Sequence, residues 1–166
     1  MLDSITGAIG FWMAGFAIAF GTSNETGFFG IDGRFYCTRD IGSLGDEDLW
    51  LKWFFQFAFV NTASTIVSGL LTERCRIEVY GIYSFLMSFI IYPVVAHWAW
   101  NENGWLVNRG YQDFAGSGVI HLLGGLSGLI GAVFCGPRIR RQPGKLQFPC
   151  LSCGPRKRML AKFEEK

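Results

Sequence analysis

His121 is the one titratable imidazole, carboxylate or amine in the stretch Phe114–Pro137, which holds no Asp, Glu, Lys or Arg. A neutral imidazole both donates and accepts, and near neutral pH it can hold or pass a proton. The same ring could serve only to tie its helix to a neighbour by a hydrogen bond. Eight residues earlier stands Asp113, followed by Phe-Ala-Gly-Ser-Gly. At a helix start a carboxylate accepts the unpaired N–H groups of the first turn; an added use would be as a negative charge beside a cation site. Helix running unbroken from Asp113 would put His121 about 12 Å farther along, at about 1.5 Å per residue. Aromatic rings crowd two other places: Trp50, Trp53, Phe54, Phe55, Phe57 and Phe59 in one, and Trp98, Trp100 and Trp105 in the other. Most fit an interfacial belt at the edge of a bilayer. Alternatively, two or three line a vestibule and hold a small cation against their ring faces. Phe55 and Phe59 are four apart, on one helical face, as a stacked gate requires. His97, beside Trp98, reads as interfacial and is given no role.

These side chains need helices to carry them, and the charge pattern supplies four. No Asp, Glu, Lys or Arg occurs in 4–24, 53–72, 79–101 or 114–137, windows of 21, 20, 23 and 24 residues. About 20 mostly apolar residues carry a helix across roughly 30 Å of hydrocarbon, whereas a soluble helix keeps a charged outer face. The sequence therefore predicts an all-α membrane protein with four transmembrane helices, at about 5–21, 50–72, 77–100 and 113–136. The first window could also be a cleaved leader, with Ala17-Ile18-Ala19 as its small-residue site. However, its start carries Asp3 and no Lys or Arg, and its apolar run is long for a leader. Gly124, Ser127, Gly128 and Gly131 form a small-residue stripe in the last helix, suited to close packing on another helix.

Nine of the 15 basic residues lie in 138–166, so that tail is expected on the cytoplasmic side. Four crossings then return the N-terminus to the same side, with the turn at Arg74 and Arg76 also inside and the loops 22–49 and 101–112 outside. The division is a membrane domain over 1–140 and a basic cytoplasmic tail over 141–166. No metal or cofactor is expected. Cys150-Leu-Ser-Cys153 has no second CxxC and no nearby His to complete a four-ligand zinc site. No Walker loop, HExxH, nucleophile elbow or basic-aromatic nucleic-acid signature is present, so nothing points to an enzyme or to nucleic acid.

Five segments occur in order: Phe55-Gln-Phe-Ala-Phe59, Ser68-Gly-Leu-Leu-Thr-Glu-Arg74, Tyr92-Pro-Val-Val-Ala-His-Trp-Ala-Trp100, Asp113-Phe-Ala-Gly-Ser-Gly-Val-Ile-His121 and Gly136-Pro-Arg-Ile139. In order and spacing they resemble the ammonium transporter family of the Amt/Rhesus superfamily, nearest its plant-like branch, over about residues 5–140. The resemblance implies an eleven-helix fold, trimeric assembly and one pore per subunit, with the four helices here standing for the second to fifth. It implies that Phe55 and Trp100 wall an outer ammonium site and that Phe59 is the outer ring of a stacked gate. It further implies that Asp113 supports the outer site and that His121 is the first of two pore histidines. Ammonium or ammonia is then the substrate, the lipid bilayer the medium, and other membrane subunits, like or unlike, the partners.

The sequence departs from the family pattern at both ends. It lacks the family's first helix and everything after the fifth, and from Arg140 onward it no longer resembles the family. Two functional expectations follow. One is inherited ammonium transport, truncated and not competent alone, in the plasma membrane or an organelle membrane. The other is a structural or regulatory membrane subunit derived from such a transporter. A non-functional truncated product is a third reading.

Overall fold

Each charge-free window coincides with a long helix in the computed structural model, which describes residues 2–22, 27–39, 41 and 47–138. The helices are α1 (Leu2–Phe20), α2 (Asp48–Leu71), α3 (Ile77–Trp100) and α4 (Ser117–Cys135), all long and apolar enough to cross a membrane. The protein is an all-helical membrane protein, as the charge pattern requires. The predicted bounds of α3 match those observed, whereas α1 starts three residues earlier than expected and α4 starts four residues later. The late start has a backbone cause. Ala115 and Gly116 take left-handed φ values of 54° and 78°, which no helix can continue through. The tail beyond Arg138, with Cys150 and Cys153, lies outside the described residues.

α1 packs along α3, and α2 lies between α1 and α4. Small residues set these distances. A Cβ on Gly15 would stand 2.5 Å from the Ser88 carbonyl, and one on Gly124 would stand 3.0 Å from the Ala63 carbonyl. Replacing either would force backbones apart. α3 bends its ladder at Met87–Ile91 into a wider π-type turn, where the Tyr92 N–H reaches back five residues to Met87. Pro93 follows and has no N–H of its own to return to Phe89, a vacancy that such a turn accommodates. Along this helix Ser84, Ser88, Tyr92 and Ala96, four residues apart, are all fully buried.

Three buried serines inside the bundle find partners within it. The Ser64 hydroxyl donates to Ser84 at 3.0 Å, Ser84 donates to the Asp3 carbonyl at 3.2 Å, and Ser88 donates to the Ser84 carbonyl at 3.0 Å. Such pairing is what an interior without water demands. His97 departs from its interfacial reading: it is fully buried, with Nδ1 3.0 Å from the Ala19 carbonyl. A carbonyl can only accept, so Nδ1 carries the proton and the ring fastens α3 to the end of α1.

The loop after α1 folds back on the same end. Gly30 N–H donates to Ile18 and Ile31 N–H to Thr22, while the Trp98 indole donates to the Phe28 carbonyl at 2.7 Å. Buried Asp32 accepts from Arg34 Nη2 at 2.7 Å and Nε at 3.0 Å, and this guanidinium holds the Asp32 carboxyl below its usual range. Outward, Ile5, Leu51, Phe54, Ile82, Leu126, Leu129 and Phe134 are exposed. Water would penalise such a surface, but lipid or further helices would not.

Candidate functional site

Phe55 and Phe59 share a face of α2, as their spacing predicts, with ring centroids 4.5 Å apart. The rings meet edge to face at 63° rather than as parallel plates, the arrangement aromatic quadrupoles prefer. Phe59 also approaches Trp100 on α3 at 5.7 Å, and Trp100 meets Tyr92 at 6.5 Å. Three residues named from sequence thus form one aromatic patch across α2 and α3. Phe55 is the open end, with 55% of its surface exposed. Phe59 and Trp100 are half-buried, so ring edges and faces remain available to a cation.

Asp113 stands just ahead of Ser117–Leu122, the opening turns of α4, which pack against the Tyr92–Trp100 end of α3. The carboxylate lies four residues ahead of α4 and reaches its start from the side. It accepts the Gly118 N–H at 2.8 Å, the Val119 N–H at 3.3 Å and the Ser117 hydroxyl at 2.9 Å. First-turn N–H groups are therefore satisfied by Asp113, as its position suggested, although Gly116 is the residue at the helix boundary. The left-handed pair Ala115–Gly116 makes this possible by turning the chain back so that the carboxylate caps a helix it does not belong to. A charge at a helix N-terminus is also favoured by the helix dipole.

His121 falls four residues into α4, so it stands about 6 Å from the start of the helix at about 1.5 Å per residue and not about 12 Å. It lies in a π-type opening segment, Ser117–Leu122, where its own N–H donates to the Gly116 carbonyl at 3.1 Å. The imidazole is exposed on the bundle surface. Among the described residues no side-chain hydrogen bond of His121 is seen, and its ring does not join the contacts of Phe55, Phe59 and Trp100.

Two members of the site escaped the sequence reading. The buried Tyr92 hydroxyl donates to Gln56 Oε1 at 3.1 Å, joining α3 to α2 directly behind the aromatic patch. A signal existed for both. Gln56 is an amide set within an apolar window, where a polar group must find a partner, and Tyr92 lies eight residues before Trp100 on a similar helical face.

The model of the Ammonium Transporter Family matches residues 1–149. Ammonium transporter 1 member 3 of Oryza sativa subsp. japonica is 43% identical over 152 residues, spanning 85% of this chain and 29% of the rice protein. Putative ammonium transporter 1 of Caenorhabditis elegans is 40% identical over 152 residues, spanning 86% of this chain and 27% of its own length. Among solved structures, a Sensor Amt Protein superposes with a TM-score of 0.75 at 33% identity, over 85% of this chain and 36% of that one. Saccharomyces cerevisiae Mep2 superposes with a TM-score of 0.68 at 28% identity, over 83% of this chain and 31% of that one. The chain thus spans less than a third of the curated relatives it matches. With these matches, and with the aromatic patch and the Asp113 brace lying inside the matched region, the chain belongs to the ammonium transporter family.

Proposed function

We propose that this chain forms one side of an ammonium-conducting pore. The aromatic patch of Phe55, Phe59 and Trp100 beside the Asp113 carboxylate carries this reading. Relatives named as ammonium transporters support it, the rice and worm proteins among them. Ammonium arrives as a cation. Phe55 and Trp100 hold it with their ring faces, and Asp113 adds negative charge at the same end of the bundle. Phe59, behind Phe55, closes the way inward, and His121 accepts or passes the polar cargo along the conduction path. Because His121 and Phe55 face out of the four-helix unit, the pore is completed by other membrane segments or subunits, like or unlike this one. The exposed site equally supports a subunit role beside a complete transporter. Uptake by the assembly after alanine replacement at His121 separates the two, since a packing subunit does not need the imidazole.

Trp100→Leu and Phe59→Ala distinguish holding from passage. Both are best introduced into residues 2–138 grafted in place of the matching segment of the rice relative. Loss of the indole face, worth about 0.5–2 kcal/mol, should raise the half-saturating ammonium concentration about 2- to 30-fold at 1.4 kcal/mol per tenfold. Phe59→Ala should instead alter the maximal flux and leave half-saturation close to that of the parent. Unchanged concentration dependence in the Trp100 variant would remove it from the site.

From the basic tail we infer that both termini, and the Arg74–Arg76 turn, lie in the cytoplasm, with the plasma membrane as the proposed host. In sealed, right-side-out vesicles an impermeant maleimide should modify exposed Cys37 and leave Cys150 and Cys153 untouched. The reverse pattern would invert the topology.

A further inference from the structure

Cys75 and Cys135 belong to different ends of the sequence but to one end of the bundle. α2 and α4 run side by side in the same direction, in register. Gly124 faces Ala63 and Ile66, Gly128 faces Leu70, and Gly131 faces Leu71. The next position on that stripe of α4, four residues past Gly131, is Cys135. Four residues past Leu71 is Cys75, whose Sγ lies 3.8 Å from the Leu71 carbonyl, on the same side of the chain. Their neighbours are bonded across the gap: the Arg74 guanidinium donates to the Gly136 carbonyl, and Arg138 donates to the Gly69 carbonyl at 3.1 Å. Burial and, to a lesser degree, the Cys135 thiol push the Cys75 thiol up from its ordinary range.

Both cysteines are half-buried, and no disulfide joins them in the structure. Neither lies in the middle of a helix: Cys75 is in the turn after Glu73, with φ 62°, and Cys135 is the last residue of α4, before Gly136, with φ 80°. A disulfide needs Cα atoms about 4.4–6.8 Å apart, the separation that the proposal requires of these two helix ends.

We propose that Cys75 and Cys135 form a redox-active dithiol that closes into a disulfide between the α2–α3 turn and the end of α4. The oxidant is a small-molecule disulfide such as oxidised glutathione. One protein thiolate attacks a glutathione sulfur, forming a mixed disulfide and expelling one glutathione thiolate. The second protein thiol then loses its proton and attacks the protein sulfur of that mixed disulfide, forming the Cys75–Cys135 bond and expelling the second glutathione thiolate. Two protein thiols are oxidised, one glutathione disulfide is reduced, and the two protons go to the released thiolates. In the orientation proposed above both thiols face the cytoplasm, where the glutathione pool keeps such pairs open and an oxidising challenge closes them. The bond is independent of any transport activity.

The test uses the full 166-residue chain in lipid vesicles, with Cys37, Cys150 and Cys153 replaced by Ser, so that both cysteines of the pair stay native. Incubation with oxidised glutathione above neutral pH, then denaturation and maleimide treatment, should give a chain lighter by two hydrogens that carries no glutathione and no maleimide. Dithiothreitol should restore both sites of modification. Cys75→Ser or Cys135→Ser should instead trap one stable glutathione adduct, because the resolving thiol is gone. Two adducts on the pair-bearing chain, which show thiols that cannot reach each other, or two maleimides after the incubation, which show a pair that the oxidant does not close, would overturn the proposal.

Discussion

Asp113→Ala is expected to unfasten the start of α4 and to destabilise the folded chain by about 2–4 kcal/mol. Replacing an N-terminal cap by alanine costs about 0.5–2 kcal/mol, and hydrogen bonds to charged groups are worth about 1.5–3 kcal/mol each. Here one carboxylate takes two N–H groups and the Ser117 hydroxyl, and these bonds fail together rather than additively. Asp113→Asn separates structure from charge. Its amide oxygen can still accept from Gly118, so it should keep most of the stability, while the negative charge beside the aromatic patch disappears. Thermal unfolding in detergent, followed by light scattering, reads the first effect, and ammonium uptake by the graft described above reads the second. An alanine variant that unfolds with the parent would show that the brace is dispensable. An Asn variant with parental uptake would show that the charge is.

Residues 1–166 by themselves are expected to move no ammonium. A pore needs a continuous lining, and on the proposed function the described helices would supply one wall of it: Phe55 and His121 both lie on the outer surface of the bundle. The exposed imidazole has no hydrogen-bonding side chain beside it among the described residues. A polar group left unpaired in lipid costs on the order of a few kcal/mol, so the isolated chain should self-associate or aggregate. In liposomes holding a pH-sensitive dye, an ammonium jump should give the same internal pH trace with and without the chain. A faster trace that vanishes in His121→Ala would refute this and establish a transporter built from four helices.

Sequence reading located what depends on burial and missed what depends on backbone path. Charge-free windows found all four helices, because exclusion of Asp, Glu, Lys and Arg from hydrocarbon is absolute enough to show in one chain. The spacing of Phe55 and Phe59 likewise sufficed to put two rings on one face. Asp113 was legible as an acceptor for first-turn N–H groups, yet the helix was drawn from Asp113 itself. Ala115 gives no warning that it will be left-handed, and with Gly116 it moved the helix start and halved the distance assigned to His121. His97 was misplaced for a related reason. Its neighbour Trp98 suggested an interface, but the loop at 27–31 returns over the end of α1, where His97 bonds the Ala19 carbonyl, and no periodicity announces such a return. Gln56 and Tyr92 were hidden by their pairing, since each looks unremarkable until the other is seen.

The widened turn at Met87–Ile91 has a consequence in rotation. Residues four apart on an α-helix advance by about 40° beyond a full revolution, because 3.6 residues complete one. A column spaced by fours should therefore drift around α3 and leave the interior within a few steps. Ser84, Ser88, Tyr92 and Ala96 do not drift out; all four are fully buried. A turn closed by bonds five residues long rotates less per residue, so the π segment halts the drift at the middle of the column. It thereby keeps two halves of one helix in phase: the serines that meet Ser64 and the Asp3 carbonyl below, and the tyrosine and tryptophan of the aromatic patch above. Angular phase, and not length alone, is what α3 must conserve. With the same number of residues but regular α-geometry through Met87–Ile91, the helix would still cross a bilayer, but the drift would return and point either its serines or its rings away from their partners.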